Sequence, residues 1–155
     1  MIVYADSSAL VKLYVAENHS FEVTAFAQRE DVTFAFNGLH DLEVRNAIRL
    51  LTFRGTINSE AQMHFLGAFD SDLATDLYVT QRVDFGTLTK SAQRLSATAT
   101  AQTGARALDI LHVAAASLAD CAAFLTFDER QREVARVAGL SIATLRNDTS
   151  QAQGG

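Results

Sequence analysis

The sequence predicts a single α/β domain, a mostly parallel sheet of about five strands with helices on both faces. Three observations carry this. Short apolar runs alternate with longer helical patterns from end to end, the mark of βαβ units. The length of 155 residues suits one domain with a sound core, and a hydrophobic share of 48% is that of a globular chain. No repeat, linker or low-complexity block divides it, so one domain is expected over residues 1–146. A polar tail, 147–155, ending in Gly-Gly, is expected to fray.

Taken in order, residues 1–5 are apolar, partly β-branched and stop at Asp6, which reads as a buried strand. Ser7 or Ser8 is the expected cap of a helix through Leu10, Leu13 and Tyr14. A second helix is expected over 20–29. Residues 32–36 form the next strand, closed by the breaker pair Asn37-Gly38. Residues 39–54 are strongly helical and stop at Gly55. Asn58 or Ser59 opens a helix to 76, followed by a weak strand, 77–80. A long helix spans 84–103 before Gly104, and the Ala-rich helix 109–120 precedes an apolar strand, 123–127. Helix 129–138, closed by Gly139, leads to a last strand, 141–145.

Composition narrows the function. One cysteine, Cys121, excludes an internal disulfide and a thiolate zinc cage. No apolar run approaches the roughly 20 residues of a membrane span, and the first residues lack the pattern of a secretory signal. A cytoplasmic protein without a membrane partner is expected. The 13 basic residues against 18 acidic ones give a net charge of −5. Read plainly, that balance speaks against a nucleic-acid partner, because phosphate binding usually shows as a basic patch.

Four acids stand where a strand ends or where the local pattern calls for something apolar. Asp6 follows the first strand, and ligands in open α/β sheets bind beyond the carboxyl ends of strands. On helix 39–54 one stripe runs through Leu39, Leu42, Glu43, Asn46, Ala47 and Leu50, which puts Glu43 on or beside the buried face. Asp41, Arg45 and Arg49 fall on a solvated face with i,i+4 pairing. Asp109 opens the Ala-rich helix, and Asp128 follows the strand AFLTF, with Thr126 two residues before it. Each has a plainer reading. Asp6, Asp109 and Asp128 suit helix starts, and Glu43 suits an ion pair with an arginine. Taken jointly, four hard oxygen donors in one crevice would repel one another without a cation between them. With no thiolates and no paired histidines, that cation is expected to be Mg²⁺ or Mn²⁺.

The opening IVYADSSALVKLY, the segment LEVRNAI around Glu43, RALDILHVAAA around Asp109 and FLTFD ending at Asp128 resemble the four acidic motifs of PIN-domain ribonucleases. They are most similar to the VapC toxins of bacterial toxin–antitoxin pairs, over residues 1–145. The resemblance implies a PIN-like three-layer fold and a Mg²⁺- or Mn²⁺-dependent endoribonuclease. It implies Asp6, Glu43, Asp109 and Asp128 as catalytic, metal-binding carboxylates, with Asp128 the least strict of them. Ser8 and Thr126 match supporting polar positions. It further implies an RNA substrate, a cognate antitoxin protein and a homodimer. Where many relatives carry a proline before the second acid's helix, this chain has Asn37-Gly38. A PIN-fold RNA-processing nuclease outside such a pair, or a non-catalytic PIN scaffold, are the alternatives. A haloacid-dehalogenase-type phosphatase would need an acid where Ser8 stands, and a signalling receiver would need a lysine late in the sheet.

Eleven of the 13 basic residues are arginine, the side chain suited to phosphate and base planes. Arg45, Arg49, Arg130, Arg132 and Arg136 are candidate RNA contacts, weighed against solvated-face pairs. Lys12 either leans to the crevice or snorkels over core. His112, three residues after Asp109, reads as a packed, hydrogen-bonded side chain and not a ligand. His19, His40 and His64 read as surface or loop residues. Setting the four candidate ligands aside leaves 14 acids against 13 bases, so most of the negative excess belongs to the proposed site.

Overall fold

The computed structural model describes residues 1–145, so the expected tail lies outside the described residues. Four strands form one parallel sheet: β1 (Ile2–Ala5), β2 (Thr33–Phe36), β3 (Tyr78–Thr80) and β4 (Ala123–Leu125). Their order is β3-β2-β1-β4, with Val3 opposite Phe34 on one side and opposite Ala123 on the other. The expected fifth strand, 141–145, makes only a single parallel bridge, Phe124 to Ile142, through two backbone hydrogen bonds. The sheet therefore has four strands and a short ribbon beside β4.

Seven helices cover the sheet: α1 (Ser7–Val11), α2 (Ser20–Ala27), α3 (Gly38–Phe53), α4 (Ser59–Asp72), α5 (Phe85–Thr103), α6 (Ala107–Leu118) and α7 (Glu129–Val137). Strand pleating divides the core into two faces. Val3, Ala5, Phe34 and Leu125 point to one face and pack with Leu10, Phe26, Val44, Ile48 and Phe69 from α1 to α4. Tyr4, Ala35 and Phe124 point to the other, against Leu88, Ile110, Val113 and Val134 from α5 to α7. Apolar strands that bury both faces explain the unbroken apolar runs in the sequence. The result is a three-layer α/β fold.

Helix starts follow cap chemistry. Asp6 is the N-cap of α1, its side chain accepting from Ala9 N–H. It takes the place expected of Ser7 or Ser8, because α1 already begins at Ser7. Asn37, Asn58, Asp84 and Asp128 cap α3, α4, α5 and α7 in the same way. Gly104 closes α5 at φ +66, a left-handed position that favours glycine.

The buried face of α3 differs from the expected stripe. His40, Val44 and Ile48, spaced four apart, point into the core, whereas Leu42 is 67% exposed and Leu50 is partly exposed. The stripe is rotated because His40 enters the core in place of a leucine. Its ring packs on Tyr4 and Phe36. Its Nε2–H donates to Ala5 O at 2.8 Å, and its Nδ1 accepts Asn37 N–H at 3.2 Å. Both ring nitrogens are thus satisfied, which corrects the reading of His40 as a surface residue. Burial first, and then the neighbouring His112, lowers its pKa to about 3, so the ring stays uncharged.

Candidate active site

β1 lies between β2 and β4, so the chain leaves it in opposite directions and opens a crevice at the carboxyl edge. Asp6 stands at that edge, directly after β1. Asp128 follows β4, and α3 begins directly after β2, with Glu43 in its second turn. Asp109 lies in the first turn of α6. The elements that carry the four sequence-predicted acids are therefore neighbours.

Asp6 is 4% exposed. Its Oδ1 accepts from Ser8 Oγ at 2.8 Å and from Ala9 N–H at 2.7 Å, and its Oδ2 accepts from Thr126 Oγ1. Burial pushes its carboxyl pKa up, against the lowering effect of those three donors. Every donor is neutral, and among the described residues no ion pair reaches Asp6. Thr126 also lies 2.8 Å from Gln131 Oε1 and accepts Asp128 N–H at 3.0 Å. Ser8 and Thr126 thus stand beside the first acid as expected, and Thr126 ties Asp6 to the Asp128 backbone. Asp128 itself is exposed and spends one carboxylate oxygen on the Gln131 N–H that begins α7.

Glu43 forms a second group. Its Oε2 accepts from Ser7 Oγ at 2.8 Å and pairs with His112 Nε2. Burial pushes its carboxyl up, but the His112 and Ser7 bonds outweigh that and hold it below the ordinary carboxylate value. His112 is 3% exposed and its Nδ1 meets the Tyr4 hydroxyl at 2.9 Å. The packed, hydrogen-bonded reading of His112 describes it correctly, although the partner is one of the candidate acids. Ser7 Oγ lies 3.3 Å from His112 Nε2. This is not a nucleophile triad, since serine and acid share one ring nitrogen and Ser7 is buried. Asp109 turns to its own helix, accepting Arg106 N–H at 2.9 Å.

Among the described residues, no three of His, Cys, Asp and Glu stand close enough together to hold one metal ion unaided. The donor chemistry nevertheless suits a hard cation. All four acids offer carboxylate oxygen, and Asp6 is a buried acid in no ion pair among the described residues. Mg²⁺ keeps several waters and needs only one or two direct carboxylates, so a largely water-mediated site fits these residues.

Several arginines are already engaged. Arg45 bonds Asp41 at 2.8 Å and Asp70 at 2.7 Å and lies over the Phe69 ring. Arg132 pairs with Glu129, and Arg136 with Glu133 and Glu129. Arg49 and Arg130 are exposed, with no ion pair among the described residues. Lys12 pairs with Glu17 at 3.1 Å and covers the Phe127 ring, the snorkelling position. Three contributors lay outside the sequence-predicted site: Ser7, His112 and Gln131. Gln131 carried a signal, the D-x-x-Q spacing of a capping pattern starting at Asp128. Among the described residues, no helix is long and apolar enough to cross a membrane.

No family model matches the chain, and no curated protein matches it. Solved structures do. The crystal structure of FitAcB from Neisseria gonorrhoeae contains a chain similar over 93% of this chain and 97% of its own, with a TM-score of 0.59 at 14% identity. At that identity the likeness concerns the fold, which is PIN-like: a parallel sheet between two helical layers with its crevice at the carboxyl edge.

Proposed function

We propose that this chain is a Mg²⁺- or Mn²⁺-dependent endoribonuclease toxin of the VapC kind, acting in the cytoplasm and held silent by a cognate antitoxin protein. The observation that supports it best is Asp6, a buried carboxylate at the carboxyl edge of a PIN-like sheet, bonded only to neutral donors. The resemblance of the four acid motifs to PIN-domain toxins, and the shared fold, point the same way.

In this reading Asp6, Glu43 and Asp109 would hold the ion largely through its waters, with Asp128 assisting. A bound divalent ion supplies an ionised water near neutral pH and a counter-charge for the scissile phosphate. The protein's own part is positioning. Ala9 N–H, Ser8 and Thr126 fix the Asp6 carboxylate in one orientation. Ser7 and His112 occupy one oxygen of Glu43 and leave Oε1 for the crevice. Asp109 keeps one oxygen on the α6 backbone and turns α6 into a rigid mount. Single-stranded or looped RNA is the substrate class, with 5′-phosphate and 3′-hydroxyl products. Affinity for RNA rests on arginines outside ion pairs, such as Arg49 and Arg130, and on the ion itself. A homodimer is the expected assembly.

The test is cleavage of RNA by the purified chain with Mg²⁺ or Mn²⁺. Asp6→Ala abolishes it, and activity that persists in excess EDTA refutes the proposal. Growth arrest on expression, relieved by the product of a small neighbouring gene, identifies a toxin. Cleavage without arrest identifies an RNA-processing nuclease, and RNA or protein binding without cleavage identifies a scaffold.

A further inference from the structure

Beneath the crevice runs a buried polar circuit. Asn37 caps α3, and its Oδ1 accepts Leu39 N–H at 2.9 Å. That bond fixes which way the amide faces, so Nδ2 is the atom that donates to the Tyr4 hydroxyl at 3.0 Å. Tyr4 then has its own proton free for His112 Nδ1, 2.9 Å away. An Nδ1 that accepts leaves the ring proton on Nε2, facing Glu43 Oε2. Burial also pushes the Tyr4 hydroxyl far above its ordinary pKa, so it remains a donor.

The circuit joins the elements that carry the candidate acids. Tyr4 lies on β1, two residues before Asp6. His112 lies on α6, one turn after Asp109. Asn37 and Glu43 begin and end the series on α3. A set of packing contacts would not need to connect these three elements through polar atoms. Asn37, Tyr4 and His112 are buried and Glu43 is half-buried, and burying such polar groups is costly unless each is satisfied.

We propose that His112 is a positioning residue for Glu43. One ring nitrogen holds the Glu43 carboxylate, and the other is locked through Tyr4 to the Asn37 cap. The circuit thereby sets β1, α3 and α6 in register at the crevice and aims Glu43 Oε1 outward. A hydrogen-bonded partner behind a carboxylate ligand typically changes metal affinity by about 10–100-fold. The inference rests on the metal-nuclease reading for its consequence, though not for its geometry.

The experiment uses the full chain, folded by circular dichroism, in wild-type form and as Tyr4→Phe, His112→Gln, His112→Ala and Glu43→Gln. Two readouts are taken: Mn²⁺ affinity by electron paramagnetic resonance, and the His112 tautomer from its ring ¹⁵N shifts. The wild type shows an Nε2-protonated ring. Tyr4→Phe leaves Nδ1 without its donor and weakens that tautomer preference, which a merely structural hydroxyl would not do. His112→Ala weakens Mn²⁺ binding roughly tenfold. His112→Gln, whose amide still donates to Glu43, recovers part of it. A folded His112→Ala that binds Mn²⁺ like the wild type overturns the proposal, as does a ring protonated on Nδ1 alone. If the wild type binds no Mn²⁺, the metal reading fails. The positioning role is then decided by the tautomer, which must respond to Tyr4→Phe and Glu43→Gln.

Discussion

Thr126→Val offers a measurable account of how the crevice is held. The two side chains have the same shape, so the change deletes one hydroxyl and creates no cavity. That hydroxyl is buried and meets Asp6 Oδ2, Gln131 Oε1 and Asp128 N–H. A hydrogen bond to a charged group contributes about 1.5–3 kcal/mol, and each neutral one about 1 kcal/mol. One proton serves only one of the two acceptors, so the expected loss is roughly 3 kcal/mol, a fall in Tm of about 6–12 °C for a domain of this size. Thermal unfolding followed by circular dichroism measures it. The charged share is isolated by repeating the change in an Asp6→Ala background, where the loss should shrink by about 1 kcal/mol. A loss under about 1 kcal/mol, or the same loss in both backgrounds, refutes the reasoning.

Asp6→Asn should raise Tm at neutral pH, because burial lifts the folded carboxyl above its unfolded value. The carboxylate form then penalises the fold above the folded pKa, and the penalty vanishes as pH falls below the unfolded one. The gain over wild type should accordingly disappear in acid, and a constant difference from pH 8 to pH 3 would contradict this. His40 carries the opposite dependence. Its folded pKa near 3 lies below the ordinary 6.5, so its contribution is complete above pH 6.5 and is lost towards pH 3, by at most about 1.4 kcal/mol per pH unit. Its ring resonances should not titrate between pH 7 and pH 5, and a midpoint near 6.5 would show the ring to be exposed. Gly104→Ala should cost about 1 kcal/mol in chemical denaturation. Nothing lies within 4 Å of the added Cβ, so the cost is purely the φ of +66, and a neutral result would mean that the αL cap is absent.

What was legible in the sequence was whatever periodicity controls. Strands buried on both faces leave apolar runs, and long amphipathic helices leave stripes, so the architecture and the edge positions of Asp6 and Asp128 follow from local pattern. The fifth strand was not legible as a mere bridge. The run 141–145 has strand composition, but pairing depends on how the ribbon meets β4, which composition does not encode. The rotation of α3 was hidden for a similar reason. Leu42 and Leu50 are better core residues than His40 by any hydrophobic scale, and only the carbonyl of Ala5 and the N–H of Asn37, supplied by other parts of the chain, make an imidazole the better occupant. Ser7 and His112 were invisible as partners of Glu43 because they lie 36 and 69 residues away from it. The acids could be found one by one. The polar groups that orient them belong to tertiary structure.

Thr126 and Asp6 together show how the crevice differs from the rest of the core. A threonine hydroxyl has one proton, yet here it stands within hydrogen-bond distance of two acceptors, Asp6 Oδ2 and Gln131 Oε1. A ring or chain of bonds selected for stability alone would place a donor at one of them. Asparagine at position 6 would do so: its amide could donate to Thr126 Oγ1, which would then pass its proton to Gln131, while Oδ1 kept Ser8 and Ala9. One atom's change would remove a buried charge and a surplus acceptor at once. That an aspartate stands there instead keeps an ionisable group in the core against the interest of the fold. Such a group makes physical sense where something positive is to be met. The same reasoning does not apply to Asp84 or Asp128, which are exposed caps and carry their charge at no comparable expense. The cap role of Asp6 does not by itself require an acid, and its replacement by asparagine separates stability from function.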